Sequence, residues 1–320
     1  MLMRNIVLFK INAWNLDAAK FETLLSGHPL QPCGAMDVES FGWVPPRKSE
    51  DGNEPFVFSN QEKDQFLISL GFERKLLPSS VVDQFVSERV DAIEELEGAR
   101  PGRKRVKEIK ETLTLDLLPR AFSVRGSTLA WVDVKNGWLA VNASSAKKAE
   151  SLVEALVKLD GGSSFSFVIP ATADSPSVAM TRWLAGNDVP DGFTIDRDCE
   201  LLDNTSDEKG SVKYAHHPLD ATEIPMQIAA GKTVSKLALT WQDKISFVLC
   251  EDFSFKKITF TDFLKKQSES SAESMDEQFS ADFLIMAGEV SGLVADVVAA
   301  LGGLKVVGNG GQPAEPVAGA

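Results

Sequence analysis

The pattern of apolar and polar positions is most informative across residues 117–150. A helix breaks there at Pro119. Residues 128–133 then read as a strand, because Leu129 and Trp131, and after a turn Trp138, Leu139 and Val141, are apolar or aromatic. Lys135-Asn136-Gly137 supplies the turn, since Asn-Gly tolerates positive φ in a tight hairpin. Ser144 or Ser145 can cap the helix that follows, whose first turn carries Lys147 and Lys148. Cations at that end oppose the helix dipole, and a bound anion would compensate them.

Upstream, residues 5–11 read as a strand and 17–25 as a short helix with Phe21, Leu24 and Leu25 on one face. Residues 41–46 form an aromatic edge strand halted by Pro45-Pro46, and residues 47–55 a polar loop. Residues 56–59 and 65–73 read as paired strands. A long helix over 78–97, capped by Ser79 or Ser80, places Val82, Phe85, Val86, Arg89, Ile93 and Leu96 at helical spacing. Gly98 and Pro101-Gly102 break it, and a second helix over 103–118 carries the stripe Val106, Ile109, Leu113 and Leu117. The two make a helical hairpin. Its narrow stripe predicts that it projects from the body or closes against a partner chain.

Downstream, strands are expected over 165–170, 192–195 and 212–215, with helices over 177–184 and 222–230 and a polar loop over 204–210. Residues 232–240, 245–250 and 253–260 form an antiparallel meander. A short helix at 263–266 gives way to a Ser/Glu-rich linker over 267–277. Residues 281–300 begin strand-like and read as helix from Val290 onward. The Gly/Pro/Ala-rich end reads as disordered. Residues 129–141 and 237–249 echo one another around Trp131 and Trp241. The expected class is α+β, with antiparallel sheets, flanking helices and a projecting helical hairpin. Its expected segments are residues 1–75, 76–120, 121–303 and a tail at 304–320.

Charge complicates a nucleic-acid reading. The 320 residues carry 33 basic and 46 acidic side chains, a net charge of −13. Phosphate neutralisation needs positive charge, so a DNA reading requires that the cations be segregated. Three scattered cysteines, Cys33, Cys199 and Cys250, suit a reducing cytoplasm and offer no zinc or disulfide framework. The first ten residues lack a signal-peptide core, and no stretch is expected to reach the length of a membrane-spanning helix. Cytoplasmic residence is the expectation.

The best candidate chemistry is the basic block Arg100, Arg103, Lys104, Arg105, Lys107 and Lys110 at the hairpin tip and along its second arm. Arg120 and Arg125 flank Phe122, and with Lys75, Lys147 and Lys148 they could continue the track. The competing reading is a solvated helix face, because Glu94, Glu95, Glu97, Glu108 and Glu111 stand close enough to pair with it. Gly231-Lys232-Thr233 is no P-loop. Met226 stands where that motif needs glycine, and the order is helix then strand. Lys232 and Lys236 are candidate phosphate contacts on a sheet. His216-His217 point to opposite faces of an extended chain and make a poor metal pair. Asp133, Asp243, Glu251 and Asp252 are explained by turns more cheaply than by a two-metal nuclease. No catalytic residue, metal or cofactor is expected.

One further pattern emerges when several segments are taken in order. They are Pro32-Cys33-Gly34 leading to Phe41-Gly42-Trp43-Val44-Pro45-Pro46, then Lys75-Leu76-Leu77-Pro78-Ser79, then the LLPRAFS segment beginning at Leu117. The hairpin from Trp131 to Gly137, the SAKKAE segment from Ser145, Ala230-Gly231-Lys232 with Lys236-Leu237-Ala238-Leu239, and Ala281-Asp282-Phe283 with Gly288-Glu289 follow. The ordered set resembles the RdgC family, the recombination-associated proteins of bacteria, over nearly the whole chain. The resemblance implies a ring-shaped homodimer, nucleoid-associated and not an enzyme, that encircles double-stranded DNA without sequence preference and restrains RecA-type recombinases. It implies a lumen lined by lysines and arginines, and a subunit contact at Phe122. The chain departs from the family at His216-His217, where basic and amide residues are usual, so no DNA contact is carried over there. The rival reading is a protein-interaction module whose basic hairpin grips an acidic partner.

Overall fold

The computed structural model describes residues 3–47, 54–186, 188–203, 210–219, 223–262, 264 and 274–305. The loop expected over 204–210 lies almost wholly outside them, as do most of the loop over 47–55, the short helix at 263–266, most of the linker and nearly all of the tail. In chain order the first elements are β1 (Ile6–Trp14), α1 (Ala18–Ser26), β2 (Glu39–Val44), β3 (Phe58–Asn60) and β4 (Gln65–Leu76). Next come α2 (Ser79–Glu97), α3 (Arg103–Leu117), β5 (Phe122–Asp133), β6 (Trp138–Val141), α4 (Ala146–Lys158) and β7 (Phe165–Val168). The remainder is α5 (Pro176–Gly186), β8 (Phe193–Asp203), β9 (Ser211–Tyr214), α6 (Glu223–Ala229), β10 (Lys232–Trp241), β11 (Ile245–Cys250), β12 (Ser254–Phe260) and α7 (Met275–Ala300). The class is α+β with antiparallel sheet pairing, as the sequence predicts. The chain divides into two compact units.

One unit comprises Ala13–Lys135 and Lys147–Ser166. β4 is its central strand, pairing with β2 and β3 along one edge and β5 along the other. The first seven residues of β4 are buried whichever way they point, which is why Phe66, Leu67, Ile68 and Leu70 form a nearly continuous apolar run. Trp14, Phe21, Phe66 and Phe165 pack ring to ring, with centroids 5.0 Å apart for Trp14 and Phe21 and 5.9 Å for Phe21 and Phe66. Asp17 caps α1 by accepting from the Lys20 amide at 2.8 Å. At Gly42 the backbone of Pro29 and Leu30 crosses β2, and the Leu30 amide donates to the Trp43 carbonyl at 3.0 Å. The pair β4–β5 keeps unbroken register over twelve rungs, from Gln65 opposite Asp133 to Leu76 opposite Phe122. The α2–α3 hairpin is therefore an insertion between two residues that face each other across a strand pair.

The other unit comprises Met1–Asn12, Asn136–Ala146 and Phe167–Ala320. Its strands lie in the order β6-β1-β12-β11-β10-β8-β9. The meander β10–β11–β12 forms as predicted. β8 runs well past the strand expected over 192–195, through Asp196, Asp198 and Glu200, which alternate with Arg197, Cys199 and Leu201. α7 buries Phe283, Met286, Ala287, Val290, Leu293, Val294 and Val297. The Trp241 indole donates to Asp296 at 2.8 Å, and Lys244 pairs with Glu289 at 3.0 Å.

Three expectations are corrected. Residues 281–289 are helical, not strand-like, because α7 starts at a Ser274 cap with Asp276 and Glu277 in its first turn. At 26 residues and mean hydropathy 1.8, that helix is long and apolar enough to cross a membrane, against the expectation that no stretch would be. Seven of its residues are buried within the chain, and the core helix of a folded protein passes the same test. Neither Ser79 nor Ser80 caps α2, whose cap position is Pro78 with no side-chain bond. Both echo stretches fold as strand, turn and strand with the tryptophan buried.

A Cβ on Gly42 would meet Leu30 Cα at 2.4 Å and the Pro29 carbonyl carbon at 2.7 Å, which are backbone atoms that cannot swing aside. Gly42→Ala should therefore cost about 2 kcal/mol or more. Gly98→Ala meets open space at φ 71° and should cost only about 1 kcal/mol. Thermal melts of the two variants check this; equal losses would contradict it.

Candidate nucleic-acid interface

The hairpin holds itself together by a narrow apolar seam. Val82, Val86 and Val90 of α2 are buried against Val106, Ile109, Leu113 and Leu117 of α3, with Leu77 at the root. Burying three valines contributes about 4–5 kcal/mol in transfer terms. Val90, not Phe85 or Leu96, completes the α2 stripe; Phe85 is 41% exposed and Leu96 is 86% exposed. Gly98 ends α2 in the left-handed conformation at φ 71°, and its amide donates to the Glu94 carbonyl.

Charge is segregated between the two arms. α2 carries six acidic residues and one basic, whereas residues 100–110 carry six basic and one acidic. The arms therefore attract. Arg105 donates through both terminal nitrogens to Glu97, at 2.6 and 2.7 Å. Lys110 reaches Asp83 at 2.6 Å, Arg100 lies 3.8 Å from Glu94, and Lys107 lies 3.8 Å from Glu111. All are solvent-exposed, and the three that reach α2 fix how the arms align more than how stable they are. The Arg105 hydrogen bonds hold the Glu97 carboxyl below the usual carboxylate range. Arg100, Arg105, Lys107 and Lys110 thus each have an acidic neighbour within the hairpin.

Arg103 and Lys104 are different. They open α3 directly after Gly102, are exposed, and have no ion-pair partner among the described residues. No acidic residue offsets them in that first turn. α4 begins the same way, with Lys147 and Lys148 and no acidic residue in its first turn. Lys148 Nζ lies 5.9 Å from the centre of the Phe72 ring. α3 has no side-chain cap, and cations at such a helix start favour an external anion.

The hairpin root carries the remaining candidates. Arg120 is exposed in the turn after α3 and has no ion-pair partner among the described residues. Lys75 donates to the Ala35 carbonyl at 2.6 Å. Arg125 donates to the buried Glu73 at 2.7 Å, and this bond, followed by one from Ser123, holds the Glu73 carboxyl below its ordinary range. Phe122 is 85% exposed, beside Leu76 and Val124 on one face of the β4–β5 pair, so it is not a core residue. All these groups belong to the hairpin unit. Lys232 and Lys236 belong to the other unit, where Lys236 pairs with Glu200 at 2.9 Å.

The other motifs have structural explanations. Gly231 joins α6 to β10, the helix-to-strand order that excludes a P-loop. His217 contacts Glu223 at 2.8 Å and the Pro218 carbonyl, while the His216 amide donates to Asp198. Asp252 accepts from the amide and hydroxyl of Ser254, Asp243 sits in the β10–β11 turn at φ 53°, and buried Asp133 accepts from Gln65. Among the described residues no group of three or more His, Cys, Asp or Glu side chains could hold a metal ion. The sequence reading missed Lys213, Lys256 and Lys257, which with Lys236 surround a cavity of about 210 Å³ in the second unit. Adjacent lysines on an ordinary strand would face opposite sides, so no spacing announced them.

Fold and site together define an α+β protein of antiparallel sheets that bears a charge-segregated helical hairpin on the end of a strand pair. A family model described as "Putative exonuclease, RdgC" matches residues 1–304. The "Recombination-associated protein RdgC" of Dechloromonas aromatica (strain RCB) is 46% identical over 308 residues, covering 95% of this chain and 98% of the relative. That of Janthinobacterium sp. (strain Marseille), with the same description, is 42% identical over 304 residues, again covering 95% and 98%. The chain belongs to the RdgC family.

Glu73 titrates below its ordinary value of 4.5 in the folded chain, so its stabilisation is complete above that value and is lost as pH falls through the lowered one. Arg125→Ala removes the main cause. Denaturant unfolding from neutral pH to pH 3 should show a shallower acid loss for the variant than for wild type. Parallel curves would contradict the pairing.

Proposed function

We propose that the chain binds double-stranded DNA without sequence preference, as a homodimer that closes into a ring around the duplex. One observation carries this reading: Arg103, Lys104, Arg120 and Lys147 have no intramolecular ion partner among the described residues, although acidic groups outnumber basic ones in the chain. Such cations neutralise phosphates without reading bases. Lys75 and Lys148 extend the same track. Arg100, Arg105, Lys107, Lys110 and Arg125 join it, and Lys236 of the second unit contacts DNA likewise, by exchanging a carboxylate for a phosphate. Lys232 is a further contact in the second unit.

The relatives' names support a role in recombination. Work by occupancy fits that role: DNA held in the ring is denied to a RecA-type recombinase, and enclosure slows release because a closed ring must open or reach an end. The chain then acts in the cytoplasm, on the nucleoid, and does not cleave its DNA. Phe122 supplies an exposed aromatic anchor for the subunit contact, flanked by Leu76 and Val124.

Charge reversal tests the cations. Arg103→Glu and Lys104→Glu should weaken binding to unrelated duplexes equally and reduce the salt slope by about 1 per lost phosphate contact. Unchanged affinity would overturn their assignment. Phe122→Ser should shift the sedimenting species from dimer to monomer; a wild-type profile would refute the anchor. Duplex incubated with the protein and Mg²⁺ or Mn²⁺ should remain intact, and shortened product would contradict a purely binding role.

A further inference from the structure

Lysines from three strands of the second unit converge on one cavity, a feature that no motif marks. β12 makes the convergence possible. Between the rungs Ser246–Thr259 and Val248–Lys256, β11 contributes one residue, Phe247, and β12 contributes two, Lys257 and Ile258. This is a β-bulge, and Lys257 occupies the left-handed region at φ 54°. The bulge is held from the other side: the Lys257 amide donates to Asn5 Oδ1 at 3.2 Å and the Ile258 amide to the Arg4 carbonyl at 2.8 Å. A regular strand would send adjacent side chains to opposite faces. Here Lys256 and Lys257 both line the same cavity, with Lys213 from β9 and Lys236 from β10. A non-glycine residue at positive φ inside a strand is strained, and such strain gathers where a side chain must be re-aimed.

The cavity is about 210 Å³, below the size that encloses a drug-sized ligand, and suits a small group. Four lysines line it against two carboxylates, Asp198 and Glu200, leaving an excess of two positive charges on a chain that is acidic overall. Both carboxylates are already engaged. Glu200 holds Lys236 at 2.9 Å, and Asp198 accepts from the His216 amide at 2.8 Å. The wall adds Tyr214, whose phenol burial pushes up and so keeps as a hydrogen-bond donor. Burial pushes the Cys199 thiol up to about 12, so it adds no negative charge.

We propose that this cavity binds a phosphate monoester dianion, the terminal phosphate of a nucleotide or of a DNA end. A diester continues as chain on both sides and carries one charge; a monoester carries two and can enter a small cavity by its end. The site is separate from the hairpin cations and does not rest on duplex binding.

Calorimetric titration of the full chain with thymidine 5′-monophosphate, and separately with inorganic phosphate, tests it. Saturable binding is expected. The double variant Lys256→Gln, Lys257→Gln should weaken it about tenfold or more, as loss of two charged contacts does. Lys213→Gln, on another strand, should weaken it independently while melting as wild type. Duplexes with and without 5′-phosphates separate the sources. A preference for phosphorylated ends that the double variant loses assigns the site to DNA ends, and equal binding of both duplexes assigns it to free nucleotide. No saturable binding of either small anion, or unchanged affinity in the double variant, overturns the proposal. Arg103→Glu should leave mononucleotide affinity unchanged, so failure of the duplex reading and failure of this one are distinguishable.

Discussion

The twelve-rung pairing of β4 with β5 is the constraint on which the candidate interface depends. Its last rung sets Leu76 opposite Phe122, and everything between them belongs to the α2–α3 hairpin and its root. Backbone hydrogen bonding thus fixes both ends of an insertion that would otherwise need a large core to hold its place. The hairpin adds only its own seam of valines and facing aliphatics. The same rung leaves Phe122 at the surface beside Leu76, so an exposed aromatic and a set of cations share one anchorage.

Charge on this chain is a matter of placement, not of sum. A net charge of −13 would repel a duplex if it were spread evenly. The arms of the hairpin instead separate their charges, and the attraction between them consumes part of the basic block. What remains for an outside partner is Arg103 and Lys104 at the start of α3, with Arg120 and Lys147, none of which has an ion partner among the described residues. This division explains why counting basic residues overstates the interface. Arg105 and Lys104 are neighbours in sequence, yet Arg105 makes two bonds to Glu97 while Lys104 has no ion partner among the described residues.

Much of this was legible from local pattern. Gly98 and Pro101-Gly102 mark the hairpin tip because they are poor helix residues, and the stripe from Val106 to Leu117 marks its inner face. The meander and the Asn-Gly turn were legible for the same reason, since turn chemistry is local. α7 was not, because a helix with apolar residues on most sides lacks the period that distinguishes helix from strand. β8 was obscured by its acidic residues, which sit half-buried along a strand whose register with β10 shifts twice. At the site, the cations could be read and their partners could not. The Arg105–Glu97 pair depends on the tip turn, and the Lys256–Lys257 cluster on a bulge that only the register reveals. Phe122 was legible as a candidate through family resemblance, and its exposure came from the structure alone.

The central claim is that unpaired cations on this acidic chain hold duplex DNA by its phosphates. Fluorescence anisotropy of the wild-type chain with two duplexes of unrelated sequence, each at two salt concentrations, tests it most directly. The account predicts equal affinity for both duplexes and a steep fall with salt, with a log–log slope of roughly 0.9 per phosphate neutralised. Absence of binding even at low salt, or affinity that ignores salt, would contradict it and favour a protein partner for the hairpin.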